Sequence, residues 1–97
     1  MTLSTVEELM IDVNSAVMDE RIRQNNKWGH QRHTLGAWLA ILTEEVGEVA
    51  TAVQGQMGLT SVKETDPNNL YEELIHVAAV ASAFAEQVKE ANEDGTD

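Results

Sequence analysis

The sequence predicts an all-α fold in which three main helices form a bundle that a second copy of the chain completes. Three segments carry apolar residues at steps of three and four, and two polar breaks separate these segments. Such steps favour near-antiparallel helix packing. With 97 residues, the chain is expected to be one domain, residues 1–97, whose small core is marginal alone and favours oligomerisation.

The first helix is predicted over roughly residues 4–24. Ser4 or Thr5 is the candidate N-cap, and Glu8 is the candidate partner in a capping box. The apolar positions of this helix are Val6, Met10, Val13 and Val17. The stretch that follows, NNKWGHQRHT, has two Asn, one Gly and no apolar period, so it is predicted to be a loop.

The second helix is predicted over roughly residues 35–57, with Thr34 as its N-cap. Trp38 lies near its apolar stripe and is expected in the core. The stripe itself consists of Leu35, Leu39, Leu42, Val46, Val49 and Val53.

The second break, GLTSVKETDPNN, contains the only proline of the chain, Pro67. Asp66 or Asn68 is expected to cap a third helix that ends near residue 91. Its stripe consists of Leu70, Leu74, Val77, Ala81, Phe84 and Val88. The acidic end of the chain, residues 91–97, is expected to be disordered.

Composition and charge exclude several classes of partner. The net charge of −11 argues against binding to nucleic acid or to an anionic membrane surface. No apolar run approaches the roughly 20 residues that a membrane span needs, and no signal peptide is visible. The chain has no cysteine, which excludes disulfides and thiolate metal sites and fits a reducing cytoplasm, so a cytoplasmic location is expected.

Two of the predicted helices carry similar acidic segments, TEEVGEVA and YEELIHVA. At about 100° per residue, Glu45 lies roughly 80° and Glu48 roughly 140° from the centre of the second helix's stripe. On the third helix, Glu73 and His76 lie at roughly 70° and 130° on the same side. If the two helices pack antiparallel and stripe to stripe, all four side chains point to one common side.

Two interpretations of this cluster are open. Three carboxylates and an imidazole beside a core are costly unless a positive charge neutralises them, and oxygen ligands suit Mg²⁺, Mn²⁺ or Ca²⁺. Alternatively, both segments are solvated faces of an acidic protein, since carboxylates three residues apart are common. Glu44 and Glu72 fall nearly opposite the stripes, and solvation is the expectation for them.

The segments EEVGE at residues 44–48 and ELIH at residues 73–76 resemble the motifs of the MazG-like all-α nucleotide pyrophosphohydrolases. The pattern of that family is EExxE on one helix and ExxD on the next. The segment KWG at residues 27–29 is also similar to a family feature, and the resemblance covers roughly residues 17–88. His76 departs from the pattern, because the family usually has Asp at that position.

The resemblance implies an enzyme that uses Mg²⁺ to hydrolyse a nucleoside triphosphate, ribo or deoxy, to the monophosphate and pyrophosphate. Carried over residue by residue, it implies that Glu45, Glu48 and Glu73 are metal ligands. It implies a catalytic role for Glu45 and for Glu44, the latter as a ligand or as the group that orients water. His76 takes the last ligand position, where a nitrogen suits Mn²⁺ better than Mg²⁺. An altered metal preference, a weakened site and lost catalysis are all open outcomes there.

Four further residues are candidates for substrate binding. Trp28 is expected either in the core or as a platform that stacks on the base. His33 stands where related pyrophosphatases have a pocket histidine, with a plain helix-entry residue as the alternative. Lys27 and Arg32 are candidates to screen phosphate oxygens, or are simply solvated.

Three functions follow from these patterns. The first is a divalent-metal nucleoside triphosphate pyrophosphohydrolase that works as a homodimer or a dimer of dimers. The second is a non-catalytic helical interaction module whose acidic face binds a basic partner. The third is an enzyme like phosphoribosyl-ATP pyrophosphohydrolase, which acts on a phosphoribosylated nucleotide in histidine synthesis.

Overall fold

The computed structural model describes residues 4–58 and 69–94, and the regular secondary structure within these ranges is helical, with no strand. The helices are α1, Thr5–Trp28, α2, Leu35–Gln56, and α3, Leu70–Glu93. This confirms the predicted all-α class with three main helices. Among the described residues, no helix is both long enough and apolar enough to cross a membrane.

The first helix is longer than predicted. α1 continues through NNKW, the start of the predicted loop, and ends where Gly29 adopts a φ of 79°. The Gly29 N–H donates to the carbonyl oxygen of Asn25 at 2.9 Å, which closes the last turn. Positive φ is accessible to glycine at little cost, so this residue terminates the helix, whereas two asparagines do not.

Side chains cap the first two helices. The Ser4 hydroxyl accepts the N–H of Glu7 at 3.0 Å, and the Thr34 hydroxyl accepts the N–H of Ala37 at 3.1 Å, which confirms both predicted N-caps. The capping-box partner was expected at Glu8, and this is wrong by one residue. The Glu7 carboxylate, at the third helical position, accepts from the Ser4 hydroxyl at 3.1 Å.

The ends of α3 differ from the prediction. Its N-cap is Asn69, whose side chain makes no capping hydrogen bond, while Asp66 and Asn68 lie outside the described residues. The helix continues to Glu93, so the expectation of disorder from residue 91 is wrong for the first three residues of that tail. Residues 95–97 lie outside the described part of the chain.

α3 is the central element, because both other helices pack on it and do not pack directly on each other within the described residues. α2 runs antiparallel to α3: its start lies near Gln87 and its middle near Glu73. α1 packs across α3, with Glu20 facing His76 and its neighbour Arg21 paired with Glu86 further along α3. An open cleft is therefore left between α1 and α2, with α3 as its floor.

The core is small and centres on Trp38, which is 2% exposed and packs against Val80 and Ala83. This confirms the expected core position of Trp38. Its indole stacks on Phe84 with ring centroids 5.8 Å apart. Such aromatic pairs contribute about 1 kcal/mol beyond the burial of their surface.

Gln87 ties the start of α2 to α3. Its side-chain oxygen accepts from the Trp38 indole N–H at 2.7 Å and from the His33 backbone N–H at 3.1 Å. Its amide nitrogen donates to the His33 carbonyl oxygen at 2.7 Å. The buried indole is thereby satisfied, which a polar group removed from water requires.

The prediction assumed that the apolar stripes of α2 and α3 face each other. In the structure they do not, and both stripes remain largely uncovered. Trp38 and Ala52, on one edge of the α2 stripe, are buried, while the centre of the stripe is open. An apolar groove of about 640 Å³ runs between α2 and α3 on this face. Leu42, Phe84 and Val88 are among its lining residues. Exposed apolar side chains elsewhere on the two stripes are Leu35, Leu39, Val46, Val53 and Leu74.

Gln87→Ala is expected to destabilise the fold by about 2 kcal/mol, because it removes three hydrogen bonds and leaves the buried Trp38 N–H without an acceptor. Urea unfolding measures the change. Gln54→Ala, at an exposed position of α2, is the matched control and is expected to change stability little. Equal effects of the two variants would contradict the role of Gln87.

Candidate functional site

The structure brings together the acidic segments of α2 and α3. Glu45 of α2 and Glu73 and His76 of α3 each offer one ligand atom, and these atoms all lie within 4.8 Å of one another. Glu73 and His76 are one helical turn apart and so share a face of α3. Antiparallel packing places Glu45 at their level, so these three side chains meet as predicted, although α2 packs through one edge of its stripe and not stripe to stripe as the prediction assumed.

The carboxylates of this cluster are only partly compensated. Glu45 Oε2 and Glu73 Oε2 are buried and have no hydrogen-bond partner. Burial, followed by repulsion from the Glu48 carboxylate, raises the pKa of Glu45, and His76 opposes the rise. Burial and Glu48 likewise raise the pKa of Glu73. Glu48 is itself exposed but lies close enough to repel both.

His76 lies between two carboxylates. Its Nδ1 is 3.7 Å from Glu73 Oε2, and its Nε2 is 4.0 Å from Glu20 Oε2. Sequence analysis missed Glu20, because nothing in its local pattern distinguishes it from the other charged residues of α1. Its place at the site depends on α1 packing against α3, a long-range contact.

Glu20 is held by its own helix. Arg23 donates to both of its carboxylate oxygens at 2.8 and 2.7 Å, and Gln24 donates at 2.9 Å. The Glu20 side chain is only 10% exposed. The Arg23 hydrogen bond lowers the pKa of Glu20, although burial acts in the opposite direction.

A cleft of about 400 Å³ runs from this cluster along the gap between α1 and α2. Glu45, Glu48 and His76 line one part of it. Trp28 lines it as well, eight residues after Glu20 on α1 and therefore about 12 Å further along the helix axis. Arg23, Gln31 and Trp38 also contribute to the walls.

Trp28 is not a core residue. Its side chain is 53% exposed, so the core alternative is wrong. The Lys27 ammonium lies 4.6 Å and the Arg23 guanidinium 5.8 Å from the ring centroid, which are cation–π distances. The Trp28 indole at the wall of the cleft therefore lies next to two positively charged side chains.

Other predicted site residues lie elsewhere. Glu44 is exposed and belongs neither to the group of close ligand atoms nor to the cleft lining, which agrees with solvation rather than catalysis in a single chain. Arg32 pairs with Glu90 at 2.6 Å, outside the cleft lining.

His33 packs edge-on against Trp38, with ring centroids 4.8 Å apart, and Gln87 fixes its backbone, as expected of a helix-entry residue. Lys27 reaches the cleft only through the indole of Trp28.

The donor set suits a hard divalent cation with one nitrogen ligand. Ligands of one octahedral Mg²⁺ or Mn²⁺ at about 2.1 Å lie about 3–4 Å apart, so small side-chain movements would close this set around one ion. The two orphaned carboxylate oxygens are the groups that a cation would satisfy. The residues present therefore fit such an ion.

Comparison of the chain with protein-family models, curated proteins and solved structures finds no match.

Glu45→Gln is expected to raise the melting temperature of the metal-free protein at pH 7 by a few degrees. The raised pKa of Glu45 means that its charge destabilises the fold at neutral pH. This cost disappears as the pH falls below the ordinary carboxyl pKa, so the gain should vanish below about pH 4.

Calorimetry in the presence of a chelator, across this pH range, makes the measurement. Glu44→Gln is the matched control, since it removes the same charge from the same helix at an exposed position. A gain in stability that is equal in the two variants, or independent of pH, would show that Glu45 carries no special electrostatic cost.

Proposed function

We propose that this protein is a divalent-metal nucleoside triphosphate pyrophosphohydrolase of the MazG-like kind. The observation that supports this most strongly is that Glu45, Glu73 and His76 lie close together. Glu45 and Glu73 each contribute one buried oxygen that has no hydrogen-bond partner. The EEVGE and ELIH segments that supply these groups are the ones that resemble the family motifs. The exposed indole of Trp28 in the same cleft offers a second contact for a nucleotide.

In this proposal Glu45, Glu73 and His76 hold the cation, and the nearby Glu48 completes the ligand set. Mg²⁺ or Mn²⁺, when bound, neutralises negative charge on the triphosphate oxygens and positions them. A chain of net charge −11 otherwise repels such a substrate. Arg23, in the cleft wall, is the one cationic side chain that lines the cleft among the described residues.

The overall reaction adds water to the α-phosphorus of the nucleotide. The bond between the α-phosphorus and the α–β bridging oxygen breaks, pyrophosphate leaves, and the water oxygen remains on the monophosphate. The Trp28 ring offers a face for stacking on the base, and its distance along α1 from the carboxylates leaves room for the sugar. Glu44 enters this scheme only if a second subunit brings it towards a site.

We also propose that the active form is at least a homodimer, assembled through the apolar face of α2 and α3. Two helices of 22 and 24 residues, about 33 Å long and about 10 Å apart, present roughly 600–700 Å². Each partner in a standard interface contributes about 800 Å². The face is largely apolar in a strongly acidic chain, and the charged residues that line its groove, Lys89 and Glu93, pair with each other.

Hydrolysis is tested by incubating the protein with a panel of ribo- and deoxynucleoside triphosphates plus Mg²⁺ or Mn²⁺. Chromatography should resolve the monophosphate and pyrophosphate. Glu45→Gln and Glu48→Gln are expected to abolish turnover while the helical circular dichroism spectrum is retained. Glu72→Gln, at an exposed position of α3, is the control and should remain active.

Release of orthophosphate instead of pyrophosphate, or turnover that survives Glu45→Gln, would contradict the proposed reaction. Failure of every nucleotide, together with binding of basic peptides, would favour the interaction module.

The dimer is tested by light scattering after size exclusion at micromolar concentration, where the wild type should have at least twice the mass of one chain. Leu39→Glu places a charge in the exposed α2 stripe and is expected to shift the protein towards monomer. Ala40→Glu, exposed and about 100° away around the helix, should leave the mass unchanged. A stable, folded wild-type monomer would overturn the assembly.

A further inference from the structure

His76 is the cluster residue whose orientation matters most, because only one of its two ring nitrogens can face a cation at a time. Nδ1 lies towards Glu73, and Nε2 lies towards Glu20 on the neighbouring helix. The side chain is 37% exposed, so packing alone leaves the ring some freedom. A partner that fixes one nitrogen would therefore decide which nitrogen is free.

Glu20 has the properties of such a partner. Arg23 and Gln24, three and four residues further along α1, together occupy its carboxylate with three hydrogen bonds. Its side chain is nine-tenths buried, and it lines the same cleft as His76. Its Oε2, the oxygen nearest His76, already accepts from Arg23 and Gln24, so a hydrogen bond from His76 would be shared with theirs.

We propose that Glu20 is a positioning residue that draws the Nε2–H of His76 towards α1 and so presents Nδ1 to the cation beside Glu45 and Glu73. The proposal rests on the metal site of the proposed function. A carboxylate behind a ligating histidine fixes both the tautomer and the orientation of the ring, and its loss typically weakens metal binding about 10–100-fold. The Nε2–Oε2 separation of 4.0 Å exceeds a hydrogen-bond distance by about 1 Å, so the proposal requires the ring to move towards Glu20.

A purely structural role for Glu20, holding α1 against α3, is distinguishable from positioning. Another carboxylate already links these two helices, since Glu86 of α3 accepts two hydrogen bonds from the buried Arg21 of α1, at 3.3 and 2.5 Å. Glu86 does not line the cleft. Glu86→Ala therefore breaks the interface without touching His76 and is the matched control for Glu20→Ala.

The first measurement is the dissociation constant of Mn²⁺ for the full chain, followed by electron paramagnetic resonance. Glu20→Ala should weaken binding about tenfold or more, while Glu86→Ala should stay close to wild type. In a His76→Asp background the removal of Glu20 should no longer weaken binding, because the group that it positions is gone. Equal losses in Glu20→Ala and Glu86→Ala, or the same loss in the His76→Asp background, would overturn the proposal.

The second measurement is the nitrogen chemical shifts of the His76 ring in metal-free protein at a pH where the ring is neutral. The wild type and Glu86→Ala should show the Nε2–H tautomer in a single ring environment, and Glu20→Ala should lose that uniformity. This result is independent of metal. If Mn²⁺ binds to none of the proteins, the proposed function fails, and the ring spectra alone then support or overturn the positioning role.

Arg23→Ala is the second variant if Glu20→Ala does not fold. It frees the Glu20 carboxylate from its two strongest hydrogen bonds and leaves the carboxylate in place. A change in the Mn²⁺ dissociation constant together with an altered His76 spectrum supports positioning, and an unchanged spectrum overturns it.

Discussion

Repulsion among carboxylates beside an apolar core is the constraint on which the rest of this account depends. Glu45 and Glu73 bury oxygens that have no hydrogen-bond partner, and Glu48 adds a third negative charge nearby. Such an arrangement costs free energy in the isolated chain. Stability alone does not explain it, because amides or apolar side chains at these positions would avoid the cost. A cation that satisfies both oxygens would convert this cost into binding energy, and a triphosphate would add further oxygen ligands.

The arrangement of the helices leaves the carboxylate cluster accessible to a ligand. α3 contacts both other helices, and α1 and α2 stay apart, so the gap between them remains open above the α3 floor. The largest core residue, Trp38, fills one part of the space beneath that gap, and Gln87 fixes its indole. The same arrangement leaves the apolar face of α2 and α3 uncovered on the other side. The proposed dimer would therefore assemble on a surface away from the cleft, and the proposed metal site and the proposed interface would use different faces of α2 and α3.

Sequence analysis predicted what depends on local spacing and missed what depends on distant packing. Helical periodicity predicted three helices, and motif spacing singled out Glu45, Glu73 and His76, which do lie together, although not through the packing that was assumed. The end of α1 predicted from loop composition was wrong, because a helix tolerates the two asparagines and continues until Gly29 adopts a positive φ. The roles of Glu20 and Gln87 arise from partners more than 45 residues away in the chain, and no local pattern reveals such partners. The assumption of stripe-to-stripe packing failed because α2 contacts α3 through the edge of its stripe that carries the buried Trp38. The spacing of apolar residues does not reveal which edge of a stripe will be buried.

The central claim is that the carboxylate cluster binds a divalent cation, and an anomalous difference map from crystals grown with Mn²⁺ tests it most directly. One strong peak is expected about 2.0–2.3 Å from oxygens of Glu45 and Glu73, with a nitrogen of His76 among the ligands. The same crystals grown from the Glu45→Gln variant should lose that peak. A map with no peak at millimolar Mn²⁺, or a peak bound only by exposed carboxylates such as Glu44 or Glu72, would contradict the account.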